Sequence, residues 1–321
     1  MPQIIFGTAS FGMDLTEFQD SAAVRSLLKE LQDLGIHRLD SAARYPPLKP
    51  GRAEELIGQT QDISGSFLID TKVYTNTMTD GSGDLASEAI DKSLLASLQR
   101  LKRSNGVNVL YTHRADPSTP LEEQVIAFNQ QIKKGRCQAW GVSNMSPEML
   151  ERILRLCEEK SLQKPSCYQG DYNLVTRGME TKLLPILRSN GMTFNAFRTL
   201  AAGFLTGRFV NNEHSGTRFG ADNPLGKFAQ QLFGAEDLHS AMRRFTDEAK
   251  SYNQTPVEVA IRWIMYHSAL GDEDAIIIGA SKAEQVRETV NIMKKGPLPE
   301  ELLKAVDDLW SAVKESRHSI I

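Results

Sequence analysis

Cysteine is scarce: the 321 residues hold three, Cys137, Cys157 and Cys167. That odd number, with no C-x-x-C spacing, excludes a disulfide scaffold or zinc ribbon and fits reduced thiols in a reducing compartment. The six histidines, His37, His113, His214, His239, His267 and His318, show neither HxH nor HExxH spacing, so no metal site is expected. No apolar run approaches the roughly 18 residues of a membrane-spanning helix. Charge of one sign is not in excess, 37 Lys and Arg facing 40 Asp and Glu for a net −3. Such a balance argues against nucleic acid or an anionic membrane as partner. The opening MPQIIFGTASFG has no charged-then-apolar leader pattern, and a cytoplasmic location is expected. Its GTASFG also lacks G-x-G-x-x-G, and no such fingerprint follows a later strand pattern, which counts against an open doubly wound sheet.

What the chain does have is alternation. With 40% hydrophobic residues it can bury a sizeable core. Short apolar runs at 4–7, 37–40, 67–72, 107–113, 138–143, 166–169, 193–197 and 275–279 read as strands. Amphipathic stretches at 18–34, 53–60, 85–101, 121–134, 147–159, 179–189, 238–252 and 281–293 read as helices, with apolar steps such as Leu94, Leu98 and Leu101. Gly35, Gly135 and Gly191 stand where left-handed helix ends are expected. Eight strand–helix units without a linker or low-complexity tract predict one α/β domain over 1–321, a (β/α)8 barrel. A long irregular loop is expected after the seventh strand, at 208–234, and an extra C-terminal helix at 299–314.

Barrel active sites lie at the carboxyl ends of the strands. There the second run ends in Asp40 with Tyr45 behind it, the third in Lys72, the fourth in His113, the fifth in Ser143 and Asn144, and the sixth in Gln169. A tyrosine, with a pKa of about 10, is a poor acid at neutral pH unless a nearby ammonium lowers that value. A buried lysine in turn needs a carboxylate to stay charged, which Asp40 supplies. A histidine beside them would orient a carbonyl oxygen toward the phenol. Together they make a proton donor for an oxygen becoming an alkoxide. No side chain supplies hydride, so a nicotinamide cofactor is implied. Taken singly, each residue has a plainer reading: Asp40 a cap, Tyr45 a surface ring, His113 a core histidine. The joint pattern is harder to explain away.

These residues resemble the aldo-keto reductase superfamily. Asp40 to Tyr45 is similar to its Asp-x4-Tyr stretch, and the run GRAEELIG at 51–58 to the segment that follows. Lys72, the LYTH of 110–113, the GVSN of 141–144 and the YQGDYN of 168–173 follow in family order. The run LAAGFLTG at 200–207, GTRFG at 216–220 and KGPL at 295–298 look most like the aflatoxin-aldehyde reductase branch. The resemblance implies Tyr45 as acid, Lys72 as modulator of its pKa, Asp40 as the lysine's partner and His113 as orienting residue. It implies NADP(H) as cofactor, reducing an aldehyde or ketone. Asp40, Ser143, Asn144 and Gln169 would face the nicotinamide and Phe197 would stack on it. Arg198, Leu200, Gly203, Leu205, Gly207 and Arg208 would follow the pyrophosphate, with Arg218 folding over it or meeting a substrate carboxylate. Gly279, Ser281, Gln285 and Thr289 would take the adenosine end, where Lys282 and Arg287 are also candidates for a 2′-phosphate. Arg198 replaces the usual Asn or Ser, a charge with no evident partner in the sequence.

A small carbonyl compound is the expected partner, with homodimerisation open. Phe11, Met13, Arg114, Arg218 and Phe228 are candidates for lining the substrate pocket. Two further readings stand beside the reductase. One is a nicotinamide-binding regulatory subunit of a larger complex with slow or no turnover, marked by a partner-docking extension. The other is an aldolase using Lys72 as a Schiff-base amine, disfavoured by the paired Asp40 and Tyr45.

Overall fold

The structure, a computed structural model, describes every residue except 212, 214, 216–218, 221–225 and 321, and only the backbone of 228. Eight strands, β1 (Gln3–Gly7), β2 (Arg38–Asp40), β3 (Leu68–Lys72), β4 (Val107–Tyr111), β5 (Cys137–Ser143), β6 (Cys167–Asp171), β7 (Thr193–Phe197) and β8 (Ala275–Ile278), close into a barrel in sequence order. Each pairs in parallel with its neighbours, β8 returning to β1. Helices cover the outside, so strand residues are buried on both faces. That is why β8 reads AIII with no polar alternation.

Local chemistry sets the helix ends. Asp20 accepts from the amides of Ala22 and Ala23 at the start of Ser21–Asp33. Ser146 and Thr255 cap Pro147–Glu159 and Pro256–Tyr266, with proline at the first helical position. Gly35, Gly135 and Gly191 end their helices at φ of 79°, 68° and 65°, the left-handed geometry that favours glycine.

The structure corrects several expectations. β4 stops at Tyr111, leaving His113 two residues into the loop, while β6 runs on to Asp171, so Gln169 lies within the strand. The stretch 179–189 is two short helices, Met179–Lys182 and Leu184–Ser189, with Pro185 starting the second. The segment expected to be irregular contains the helix Gly226–Phe233, whose Phe233 stacks on Phe204 with ring centroids 5.3 Å apart. Pro256–Tyr266 had no counterpart in the periodic pattern because it is buried nearly all round, which erases the three-to-four spacing. The terminal helix spans Glu300–Arg317, and buried Arg317 ties it to the Val175 and Leu232 carbonyls and the Thr176 hydroxyl.

The GRAEELIG run proves structural. Glu54, fully buried in the helix Arg52–Gln59, pairs with Arg100 at 2.7 Å and accepts from the Thr71 hydroxyl at 2.6 Å. Gly58 touches the helix Ser87–Leu101 so closely that a Cβ would lie 2.0 Å from the Arg100 carbonyl oxygen. Gly58→Ala is therefore expected to destabilise by about 2–3 kcal/mol and to lower the thermal midpoint by about 3–5 °C. An unchanged midpoint in calorimetry would show that the two helices have slack to separate.

Candidate functional site

Register brings the polar strand ends together. Lys72 and Asp40 close adjacent strands, 1% and 3% exposed, and the Lys72 Nζ donates to both Asp40 oxygens at 2.7 Å and to the Ser41 carbonyl at 2.8 Å. Burial alone would discharge the lysine, but Asp40 and then Tyr45 oppose it strongly enough that its pKa lies above the ordinary value. Gln169, opposite Ser143 in the β5–β6 register, donates its Nε2 to Asp40 Oδ1 at 2.8 Å.

Tyr45 is delivered by a turn, its amide bonding the Ala42 carbonyl at 2.9 Å. Its ring centroid lies 4.9 Å from Lys72 Nζ, and His113 meets the ring edge-on at 5.7 Å and 83°. The phenol pKa is raised, by burial first, with Lys72 pulling it down and Asp40 pushing it up. The expected lowering by Lys72 is present in direction but outweighed, because burial and the nearby carboxylate both disfavour a phenolate. The phenol is thus held protonated.

His113 sits in the loop beyond β4 with a buried Nδ1 that has no hydrogen-bond partner among the described residues. Burial, then Lys72, Arg44 and Arg114, hold its pKa well below the usual 6.5, so the ring is neutral. Asn144 fixes the loop, donating its Nδ2 to the His113 carbonyl and to Ser143 Oγ, both at 3.0 Å. Asn144 itself takes a φ of 53°, a left-handed conformation Asn tolerates.

The other expected residues flank this core. Phe197 ends β7, half-buried, with the Arg198 guanidinium 5.2 Å from its ring centre. Arg198 finds the partner the sequence did not reveal: buried Asp171, at 2.9 Å. Asp171 was missed, although its place two residues beyond Gln169 in β6 gives it the same inward register. Leu200 leads into the 3₁₀ segment Ala201–Thr206, in which Gly203 has a φ of 98°, followed by Gly207 at 77° and by exposed Arg208. Leu205 is fully buried, backbone included, so the structure does not place it against a ligand. Beyond β8, Gly279 faces open space. Gln285 Oε1 accepts from the Ser281 amide and hydroxyl and from the Lys282 amide, capping the helix Ala283–Met293, on which Thr289 sits half-exposed. Arg287 is committed to Glu30 at 2.8 Å. Arg218 and the Phe228 side chain lie outside the described residues. Among the pocket candidates, Phe11 is fully buried against Phe6 and Phe18 and belongs to the core.

A neutral buried histidine carries a pH signature. Below about pH 6.5 the unfolded chain protonates this histidine while the folded one does not, so stability falls as pH drops through that range. Wild type should lose midpoint temperature between pH 6.5 and 5 more steeply than His113→Gln, and the imidazole nitrogens should report a neutral ring at pH 6. An imidazolium signal at pH 6 would contradict this.

Residues 3–311 match the model of the Aldo/keto reductase family. The chain is 34% identical to "Oxidoreductase sirO" of Leptosphaeria maculans, over 98% of this chain and 95% of the relative. It is 30% identical to mouse (Mus musculus) "Aflatoxin B1 aldehyde reductase member 2", over 97% and 85%. A relative in Escherichia coli O157:H7, "L-glyceraldehyde 3-phosphate reductase", is 30% identical over 90% and 86%. Among the described residues no helix is long and apolar enough to cross a membrane. With a matching family model over nearly all of the barrel, the chain belongs to the aldo/keto reductase family and is an oxidoreductase that reduces carbonyl groups.

Proposed function

We propose that the chain is an NADP(H)-dependent reductase that turns an aldehyde or ketone into an alcohol, with Tyr45 as general acid. The observation that carries this reading is the buried Asp40–Lys72 pair beneath a protonated Tyr45, with neutral His113 against the same ring.

The residues suit a nicotinamide dinucleotide. Gln169 and Asn144 each have the amide nitrogen engaged within the protein, which leaves their oxygens to accept from a carboxamide, while the Ser143 hydroxyl can donate to it. Phe197 offers an aromatic face at the end of β7, and the glycines after it let backbone approach a pyrophosphate closely. The start of Ala283–Met293 would take an anionic group only by displacing Gln285 from the Ser281 and Lys282 amides and Glu17 from the Ala283 amide. Since Arg287 is paired, selectivity for a 2′-phosphate rests chiefly on exposed Lys282. When bound, the reduced cofactor supplies the hydride.

The chain's own part is orientation and proton delivery. His113 donates a ring N–H to the carbonyl oxygen and turns it toward Tyr45. Tyr45 then gives up its proton as negative charge develops on that oxygen. Lys72 stabilises the phenolate left behind, and Asp40 keeps Lys72 charged in a dry site where its field is strong.

Tyr45→Phe should lower kcat by about 10²–10⁴-fold, with cofactor binding retained in tryptophan fluorescence; near-normal turnover would remove Tyr45 from the acid role. For Lys282→Ala, KM for NADPH should rise about tenfold, a loss of about 1.4 kcal/mol, while KM for NADH stays within about twofold. Equal effects on both cofactors would place the 2′-phosphate elsewhere.

A further inference from the structure

Arg317 lies in the last turn of the C-terminal helix Glu300–Arg317, buried, and takes no part in the chemistry above. Its Nε donates to the Val175 carbonyl at 2.6 Å, and its two terminal nitrogens donate to the Leu232 carbonyl and the Thr176 hydroxyl, each at 3.0 Å. The guanidinium also covers the Phe233 ring, 5.0 Å from its centre. One side chain thus joins the C-terminal helix to the turn after β6 and to the helix Gly226–Phe233. From there two arms lead to the barrel mouth. In the first, Thr176 and Asn173 exchange backbone hydrogen bonds, and Asn173 donates its Nδ2 to Asp171 Oδ1 at 2.9 Å and to the Arg198 carbonyl at 3.1 Å. The turn that Arg317 pins therefore fixes the backbone directly after Phe197. In the second, Phe233 stacks on Phe204, which lies within the 3₁₀ segment Ala201–Thr206. The Arg198 carbonyl also accepts from the Ala201 amide, at 2.6 Å, which joins the two arms.

That 3₁₀ segment depends on outside support. Ala201 and Ala202 stand at φ of 49° and 57°, a left-handed backbone that a residue with a Cβ keeps only where its surroundings fix it. Resting on the reductase reading above, we propose that Arg317 is a positioning residue for the cofactor. Through Thr176 and Phe233 it holds the turn beside Phe197 and the segment read above as the approach to a pyrophosphate. Cofactor affinity then depends on the docked end of the C-terminal helix. The dependence is reciprocal by linkage, so bound cofactor in turn protects the last turn of that helix. A guanidinium suits the task because its rigid fork of donors reaches acceptors on separate segments at once, which the compact ammonium of a lysine does only in part.

The test measures NADPH affinity by tryptophan fluorescence in the full chain and in Arg317→Met, Arg317→Lys and Gly58→Ala. Gly58→Ala loosens a helix contact that neither arm touches, so it reports what lost stability does by itself. In Arg317→Met the Kd should rise at least about tenfold and in Arg317→Lys by less, while the carbonyl KM at saturating NADPH stays within about twofold. Gly58→Ala should keep the wild-type Kd. Hydrogen exchange gives a second readout: NADPH should slow exchange at 201–206 and 314–317 in wild type, and the slowing at 314–317 should vanish in Arg317→Met. An Arg317→Met Kd within about twofold of wild type, an equal rise in Gly58→Ala, or wild-type exchange at 314–317 that ignores NADPH would each overturn the proposal. The last of these decides even where Arg317→Met does not fold. Failure of the underlying reductase reading has a different signature, the absence of NADPH binding by wild type itself.

Discussion

The Lys72 ammonium lies at 1% exposure with both Asp40 oxygens 2.7 Å away, and the geometry around it follows from that contact. Neither charge is tolerable alone in the barrel, because a desolvated ion without a partner costs several kcal/mol. Held together, they form a fixed positive end facing Tyr45, while the rest of Asp40 is bound by Gln169. His113 stays neutral partly because that positive end is so near. One buried ion pair thus sets the charge state of its neighbours on both sides.

Below this layer the barrel interior is polar in an orderly way. Arg38 pairs with Asp70 at 2.8 Å, and Tyr111 accepts from Asn195 at 2.7 Å and contacts Cys167 at 3.1 Å. Asp70 and Cys167 are thereby engaged within the barrel. Burial pushes the Cys167 thiol up to about 11, which makes it inert near neutral pH. The reactive end is confined to the strand termini.

On the far side of the mouth, a second ion pair does a different job. Asp171 and Arg198 connect β6 to the turn after β7, and Arg198 covers part of the Phe197 ring. The charge that looked unaccompanied in the sequence is therefore spent inside the protein.

The strands, most helices and the residues Asp40, Tyr45, Lys72 and His113 were legible in the sequence because periodicity, caps and strand-end position are local properties. Pro256–Tyr266 escaped because a helix buried on every side has no periodic stripe, though its Thr-Pro start was a readable cap. GRAEELIG was recognisable as a motif, yet its reason, a glycine against the Arg100 carbonyl and a buried glutamate holding Arg100, appears only when two helices meet. The amino-acid order alone determined the barrel and which side chains reach its rim. Tertiary structure decided which charges pair and that the phenol stays protonated despite Lys72. Those outcomes depend on burial and on distances between residues far apart in the chain, and no local pattern encodes either.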